Sequence, residues 1–278
     1  MTFRVRHRTV YRYQQPVLLA PHIFRLRPRV DGAQRLLDYQ LTISPGPAGS
    51  TDYLDQDGNV VREAWFVDPV PQLEVESAFE VETLRANPFD FLLKGDAVNL
   101  PFHYTPELHA ALATHRDGEI EAPVRQFAED IAQRAGWNTI GFLAALSREL
   151  HQRTRQIIRP DGAPFPPSTT LGCGEGSCRD LAVLYAAACR SLGMAARFVS
   201  GYEQEAASHE RADMHAWAEV YLPGGGWRGF DPARGIAVTF GHIAVAAASQ
   251  PELAAPVSGA YRGGGSSQME VSLVMEKI

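Results

Sequence analysis

The sequence predicts an α+β protein in which an N-terminal antiparallel β module precedes a domain whose helices pack on a second antiparallel sheet. Two observations favour this class. Roughly the first 85 residues alternate apolar and polar side chains with the period of two that marks half-buried strands. Helical periodicity then takes over, and strand-like runs return near the C-terminus. With 278 residues, of which 45% are hydrophobic, the chain can bury one large core or two ordinary ones.

The β module is predicted over residues 1–86. Its first stretch, FRVRHRTVYRY, sets Phe3, Val5 and His7 on one face and arginines on the other. Further strand-like runs are LLDYQLTI, VVREAWFV and LEVESAFEVETL, and turn residues in SPGPAGS, DQDGN and DPVPQ separate them. We interpret the arginines as the solvent face of strands, with an anion-binding patch as the alternative. These arginines are Arg4, Arg6, Arg8, Arg12, Arg25, Arg27, Arg29 and Arg35.

A linker packed between the two parts is predicted over residues 87–121, because Pro88, Pro101 and Pro106 interrupt scattered aromatic residues there. The core domain is then predicted over residues 122–278. It forms the larger of the two parts.

The core domain is expected to open with two helices. The first covers residues 122–135 and ends at a glycine, and the second opens at Asn138. A Pro- and Gly-rich loop, RPDGAPFPPSTTLG, leads to a third helix that runs to Leu192. The strands ARFVSGY, HAWAEVYL and WRGFDP follow, and the alternating tail MEVSLVMEKI should close a sheet.

Charge and composition exclude several classes of function. A net charge of −6 and an isoelectric point near 5.9 argue against nucleic acid or an anionic membrane as the main partner. The sequence has no secretory h-region and no apolar run of about 18 residues, so we expect a cytoplasmic protein. Three cysteines in a chain this long do not form a disulfide framework, which predicts reduced thiols.

The stretch GEGSCRD places a thiol at the start of a helix. Ser177 is the expected N-cap and Asp180 the N3 partner of a capping box, so Cys178 becomes the first helical residue. The unpaired N–H groups of a helix N-terminus stabilise negative charge and favour a nucleophilic thiolate. The small residues Gly176 and Ser177 would let a substrate backbone approach, which assigns them to the substrate pocket. A cysteine that merely fills a small space is the alternative.

The other thiols and most histidines predict no chemistry. Cys189 lies on the apolar side of the same helix and is expected in the core. Cys173 is interpreted as an idle thiol, with a resolving role or a loop disulfide as the alternative. His103, His109 and His115 recur every six residues, which on a helix turns about 240° per step and aligns no two of them. We therefore predict no metal site and no cofactor.

A candidate base and a candidate orienting carboxylate follow in the strands. His215 opens HAWAEVYL, where a rigid position at the rim of a sheet suits a catalytic base, although a structural histidine is the alternative. Asp231 ends WRGFDP, because Pro232 cannot continue the pairing. Its carboxylate could accept the imidazole N–H and fix the tautomer of the ring. Asp213 and Glu219 are rival carboxylates.

The register of the hairpin between these strands tests the pairing. A symmetric hairpin would pair Leu222 with Trp227 and place Asp231 opposite Ala218, on the face away from His215. A shift by one residue brings the two side chains to the same face. We therefore predict a bulge or an odd-length loop in LPGGGWR.

These residues resemble a known family. The stretches GEGSCRDLAVLYAAACRSLGMAARFVSGY and MHAWAEVYLPGGGWRGFDPARG are similar to the core of the bacterial transglutaminase-like superfamily, and YRYQQPVLLAPHIFRLRPR with DQDGN resembles the β module that precedes this core. The resemblance implies a cysteine-proteinase-like α+β core with a nucleophile helix on an antiparallel sheet. It also implies Cys178 as nucleophile, His215 as general base and acid, and Asp231 as orienting residue. Relatives more often carry Thr where this chain has Ala233.

The sequence as a whole predicts a thiol enzyme that acts on peptide or protein amide bonds through a thioester. We favour hydrolysis, because an acceptor amine would need a second site. An amine-accepting transglutaminase is the main alternative, and a dry tunnel lined by Trp217 and Trp227 would favour it. Both tryptophans are therefore assigned to the substrate pocket, with core packing as their alternative. An enzyme similar to arylamine N-acetyltransferases and a non-catalytic binding or scaffold module are the remaining alternatives.

Overall fold

A computed structural model gives the fold and describes residues 1–159, 162–204 and 213–278. The strands, numbered in chain order, are β1 (Thr2–Leu19), β2 (His22–Phe24), β3 (Gln34–Ser44), β4 (Gly49–Leu54), β5 (Val60–Trp65), β6 (Val70–Thr83), β7 (Arg155–Gln156), β8 (Glu175–Gly176), β9 (Ala196–Glu203), β10 (His215–Leu222), β11 (Gly226–Asp231), β12 (Ile236–Ala237), β13 (His242–Ala248), β14 (Val257–Ser258), β15 (Tyr261–Arg262) and β16 (Ser267–Lys277). The helices are α1 (Pro106–Ala111), α2 (Ala113–Arg116), α3 (Ala122–Arg134), α4 (Thr139–Arg153), α5 (Pro167–Cys173) and α6 (Cys178–Ser191). The predicted α+β class is confirmed.

The strands of the β module lie in two antiparallel sheets, which also take in C-terminal strands: β15 and β16 in one sheet and β14 in the other. In the first sheet, β1 pairs with β6 on one side and with β16 on the other, and β3 pairs with the free edge of β6. In the second sheet the strand order is β14-β2-β5-β4. The tail MEVSLVMEKI lies in β16, which pairs with β1 over almost its whole length, so the predicted closing strand is confirmed. The end of the chain therefore completes the sheet that its beginning started. The proposed boundaries at residues 86 and 122 stay a prediction.

The arginines of β1 lie on the solvent face, as predicted, whereas the prediction is wrong for Arg25, which is buried and donates to the Ala255 carbonyl. Arg4 donates to Glu80 at 2.7 Å, and Arg6 donates to the neighbouring Glu76 at 2.8 Å. Arg8 contacts Glu74 through two nitrogens. Exposed pairs of this kind contribute little stability each, and their main effect is to keep the strand face charged.

The core domain packs helices on a sheet of order β12-β11-β10-β9-β13. Alternate residues of β10 point to opposite faces, and Ala218 and Val220 share one buried cluster with Leu181 and Tyr185 of α6. The odd-numbered residues of β10, which begin with His215, point to the other face. His215 therefore lies on the face of β10 opposite the one that packs on α6.

The helices of the core domain follow their sequence signals except for α5, and the short helices α1 and α2 lie in the stretch predicted as a linker. Helix α3 begins at Ala122, and the Asn138 side chain caps α4 by accepting from the Gly141 N–H at 2.8 Å, so both predicted helices are confirmed. The segment predicted as a Pro- and Gly-rich loop contains the short helix α5. A proline is tolerated at the first helical position, and Gly174 ends the helix with a φ of 65°. Among the described residues, no helix combines the length and apolarity needed to cross a membrane.

The β module binds the core domain through side-chain amides that pair with the edge of β13. Gln34 accepts from the Ala244 N–H at 2.9 Å and donates to the Ala244 carbonyl at 2.8 Å. Asn59 makes the same two bonds with Ala247, both at 2.9 Å. Each amide thus pairs with the backbone N–H and C=O of one residue of an edge strand, as a neighbouring strand would. The module thereby covers that edge.

Candidate active site

The candidate nucleophile stands at the start of α6. Helix α6 begins at Cys178 with Ser177 as N-cap, as predicted. Asp180 at N3 accepts from the Ser177 backbone N–H at 2.7 Å and from its hydroxyl at 2.8 Å. The helix ends before Gly193, as predicted. The φ of Gly193 is 85°, a left-handed conformation that glycine adopts easily because it has no Cβ. The thiol therefore lies where free N–H groups of a helix terminus stabilise negative charge.

Asp180 does more than cap the helix. It is fully buried, and its second oxygen accepts from Arg159 at 2.6 Å and from the Phe165 backbone N–H at 2.7 Å. Burial would raise the pKa of Asp180, but the hydrogen bonds from Arg159, Phe165 and Ser177 lower it on balance. This carboxylate therefore ties the preceding loop to the start of the nucleophile helix. Sequence reasoning identified the cap and missed the buried ion pair.

The hairpin between β10 and β11 has the odd-length loop that the sequence analysis predicted. Leu222 pairs with Gly226, so three residues form the turn, and Ala218 pairs with Phe230. By the same register Asp231 stands opposite Trp217, on the face that carries His215. The prediction of an odd-length loop is confirmed, and it brings the candidate base and carboxylate together.

The His215 ring lies between the start of α6 and the carboxylate. Its Nε2 lies 2.7 Å from Asp231 Oδ2, and the Cys178 side chain is near enough to the ring to help raise its pKa. With Nε2 engaged by the carboxylate, Nδ1 is the nitrogen left for the thiol. Burial alone would lower the pKa of His215, but the charge and hydrogen bond of Asp231, together with Cys178, raise it to about 10. The site therefore favours an imidazolium beside the sulfur.

Asp231 is fully buried and fully bonded. Oδ1 accepts from the backbone N–H groups of Ala233 at 2.9 Å and Arg234 at 3.2 Å. Oδ2 accepts from His215 and, at 3.0 Å, from His242 Nε2. Burial would raise the pKa of Asp231, but the His215 charge and hydrogen bond, aided by His242, hold it well below its usual range. The carboxylate stays ionised without solvent.

Sequence reasoning missed His242. It begins β13, a short apolar strand, much as His215 begins β10. A histidine directly before the apolar run IAVAAA was the available signal. Its partner could not be read from sequence, because the pairing of β13 with β9 sets its position.

Among the described residues, His215, Asp231 and His242 form the one group whose donor atoms lie close enough together to hold a metal ion. One atom each from His215, Asp231 and His242 lie within 4.8 Å of one another. However, both imidazole nitrogens lie 2.7–3.0 Å from one carboxylate oxygen. Those are hydrogen-bond distances, and ligands around a zinc ion with bonds of about 2.0–2.2 Å would stand farther apart. The arrangement fits a hydrogen-bonded site better than a metal centre.

The rival carboxylates have other partners. Asp213 accepts from the Met214 backbone N–H at 2.7 Å. Glu219 forms a buried ion pair with Arg197, with Nη2 to Oε2 at 2.7 Å. Asp231 is therefore the carboxylate of the three that contacts His215.

The four residues assigned to the pocket divide into two groups. Gly176 and Ser177 directly precede the thiol, and β8, which ends at Gly176, pairs with β7 in parallel. Trp217 is only 1% exposed and packs in the interior, with its ring centroid 6.3 Å from that of His215. Trp227 pairs with Tyr221, six residues along the strand from His215, which places it about 20 Å away. Gly176 and Ser177 therefore lie beside the thiol. Trp217 is core packing next to His215, and Trp227 lies outside the site.

The remaining cysteines differ from Cys178 in their surroundings. All three are free thiols, and Cys178 is partly exposed. Cys189 is completely buried in the core, as predicted, and burial raises its pKa well above the usual range. Cys173 is exposed at the end of α5, and its sulfur lies 3.2 Å from the Glu175 carbonyl oxygen. It provides a natural internal reference thiol.

Comparisons with known proteins give the chain its relatives. A profile described as the transglutaminase-like superfamily matches residues 125–232, and one described as the bacterial transglutaminase-like N-terminal region matches residues 3–82. An uncharacterized protein of Mycobacterium leprae is 25% identical over 99% of this chain and 98% of its own length. An uncharacterized protein of Mycobacterium tuberculosis is 30% identical over 83% of this chain and 78% of its own.

A solved structure shares the fold. The crystal structure of a candidate cysteine protease from Cytophaga hutchinsonii superposes with a TM-score of 0.72 and 21% identity, over 100% of this chain and 91% of that one. At this identity the likeness concerns the fold alone. The fold is of the kind that supports thiol-dependent acyl transfer and peptidase chemistry. The chain belongs to the transglutaminase-like superfamily and carries the N-terminal β region of its bacterial members.

Proposed function

We propose that this chain is a cysteine-dependent enzyme that hydrolyses peptide or protein amide bonds by way of a Cys178 thioester. The observation that carries the proposal is the buried His215 ring, with Nε2 at 2.7 Å from Asp231 Oδ2, near the Cys178 thiol at the N-terminus of α6. A thiol, an imidazole and a carboxylate in this order are the components of nucleophilic catalysis.

Acylation follows from the position of each group. The Cys178 sulfur attacks the amide carbonyl carbon, and the C–N bond breaks as His215 gives its Nδ1 proton to the leaving amine. The oxygen gains negative charge during the attack, and the backbone N–H of Cys178 is placed at the helix start to donate to it. Asp231 keeps the ring in one orientation and stabilises its charge before the proton leaves. The products are a thioester and a free amine.

Deacylation reverses the roles. Neutral His215 takes a proton from water at Nδ1, and the hydroxide equivalent attacks the thioester carbonyl. The C–S bond breaks, the acid leaves, and the sulfur recovers its proton or its ion pair with the imidazolium. Partial exposure of Cys178 supports water as the acceptor, because solvent can reach the acylated sulfur.

Trapping the acyl-enzyme tests the proposal. The protein is incubated with a library of glutamine-containing and glutamine-free peptides, quenched in acid, and mapped by mass spectrometry. We expect an acyl adduct on Cys178 that is absent from Cys178→Ala and strongly reduced in His215→Ala. Cys173→Ala is the matched control and should keep the adduct.

Adding a primary amine to the same reaction distinguishes the acceptors. Hydrolysis predicts that the peptide acid remains the main product, whereas a transamidase would convert most of it to the substituted amide. An adduct divided among the cysteines, or no adduct with any peptide, would contradict the proposed function and favour a non-catalytic module.

A further inference from the structure

A second histidine contacts the carboxylate of the candidate active site. His242 is 5% exposed, and its Nε2 lies 3.0 Å from Asp231 Oδ2, the oxygen that His215 also contacts. The two imidazole centroids are 6.3 Å apart, and the His242 ring meets Trp217 edge to face at 5.3 Å. The ring is therefore confined by packing as well as by its hydrogen bond.

The hydrogen bonds define which nitrogen of His242 carries a proton. An ionised carboxylate only accepts, so Nε2 must be the donor. Nδ1 is buried and has no hydrogen-bond partner among the described residues. A proton there would be an unsatisfied buried donor, whereas a bare acceptor nitrogen is less costly. His242 therefore donates one hydrogen bond, from Nε2, to Asp231.

We infer that His242 is a positioning residue for the reaction, because it fixes Asp231 Oδ2 toward His215 and keeps that carboxylate ionised in a site without solvent. The inference rests on the proposed function, in which Asp231 orients the base. Two donors on Oδ2 and two on Oδ1 leave the carboxylate a single orientation. Without His242, the Oδ2 atom keeps one donor, and the buried charge loses part of its stabilisation.

The fold holds His242 in place from both sides of its strand. On one side, β13 pairs with β9, in the register of His242 with Glu203. On the other side, Gln34 and Asn59 of the β module bond to Ala244 and Ala247 further along the strand. The β module therefore takes part in positioning the carboxylate, although it lies outside the reacting groups.

Other charged groups near His242 are paired. Glu203 of β9 shares a face with it, and Arg234 of the loop after β11 binds this glutamate at 2.8 Å. Asp231 and His215 face it from β11 and β10. A pH-dependent effect of changing His242 therefore acts through Asp231 and His215 if Glu203 and Arg234 keep their ion pair.

Alkylation of Cys178 by iodoacetamide, followed by peptide mass spectrometry from pH 5 to 9, tests the inference without a substrate. His242→Phe removes the donor and keeps a ring, so we expect about tenfold slower alkylation at pH 7 and a profile moved to higher pH. His242→Gln keeps an N–H donor at about the distance of Nε2 and should stay within about threefold of wild type. Thermal unfolding of each variant shows that it is folded.

A double-mutant cycle separates positioning from general support of the fold. If His242 acts through the carboxylate, His242→Phe has little further effect on the alkylation rate once Asp231→Asn is present. Equal rates and profiles in wild type and folded His242→Phe, or additive effects in the cycle, would overturn the inference and leave the proposed function intact. A wild-type Cys178 that reacts no faster than Cys173 contradicts both.

Discussion

Replacing Gln34 by alanine should destabilise the protein strongly, although the residue contacts none of the three candidate catalytic side chains. Gln34 is 3% exposed, and its amide accepts from the Ala244 N–H and donates to the Ala244 and Arg29 carbonyls at 2.8 and 2.7 Å. The Ala244 carbonyl keeps a second donor, the Arg29 N–H at 3.0 Å. The substitution therefore removes the partner of the buried Ala244 N–H and of the partly buried Arg29 carbonyl.

The buried Ala244 N–H left unpaired costs about 1–3 kcal/mol and the partly buried Arg29 carbonyl about 1 kcal/mol, so Gln34→Ala should lower the free energy of unfolding by about 2–4 kcal/mol. Urea denaturation followed by tryptophan fluorescence measures this difference. Gln40→Ala is the matched control, because Gln40 lies exposed on the same strand and should change stability by less than about 0.5 kcal/mol. A Gln34→Ala variant as stable as Gln40→Ala would show that the Gln34 amide does not support β13.

Three further predictions follow from buried groups. Burial lowers the pKa of His7 to about 4 from 6.5, so the unfolded chain binds more protons between these values. Acidification from pH 6.5 to 4 should therefore remove about 3 kcal/mol of stability that His7→Asn does not lose, and a pH-independent difference in urea denaturation would contradict this. Gly201→Ala should lower the free energy of unfolding by about 2 kcal/mol or more, because a Cβ would lie 2.1 Å from the Ile243 carbonyl oxygen and 2.6 Å from Trp217. Gly46 has open space at the same position, so Gly46→Ala should show no such loss in thermal unfolding. A chelator such as EDTA should leave the alkylation rate of the candidate nucleophile unchanged, since the two histidines contact the carboxylate at hydrogen-bond distances; a slower or faster rate after dialysis would favour a metal.

Local rules were enough to predict the nucleophile helix. A serine N-cap, an acidic N3 residue and a glycine after the last turn act within one or two turns, so their effect does not depend on the rest of the fold. The register of the hairpin was also predictable, because side chains alternate along a strand and His215 and Asp231 had to share a face. Both inferences needed only short-range geometry.

Contacts between distant segments were not predictable in this way. Gln34 and Ala244 are separated by 210 residues, and the Gln34 amide takes the place of a neighbouring strand. The position of His242 depends on the pairing of β13 with β9, and Asp180 meets Arg159 only because the preceding loop folds back. Helix α5 was missed because prolines and glycines dominate its surroundings, although a proline is compatible with a first helical turn.

The proposed function requires that His215 activates the Cys178 thiol, and competitive alkylation measures this activation. The protein is treated with limiting iodoacetamide at pH 7, and the labelled fraction of each cysteine is read by mass spectrometry. We predict that Cys178 reacts at least about tenfold faster than the exposed Cys173, that His215→Ala abolishes this advantage, and that His109→Ala, at an exposed position, preserves it. Equal labelling of Cys178 and Cys173 in the wild type, or an unchanged advantage in His215→Ala, would contradict the account.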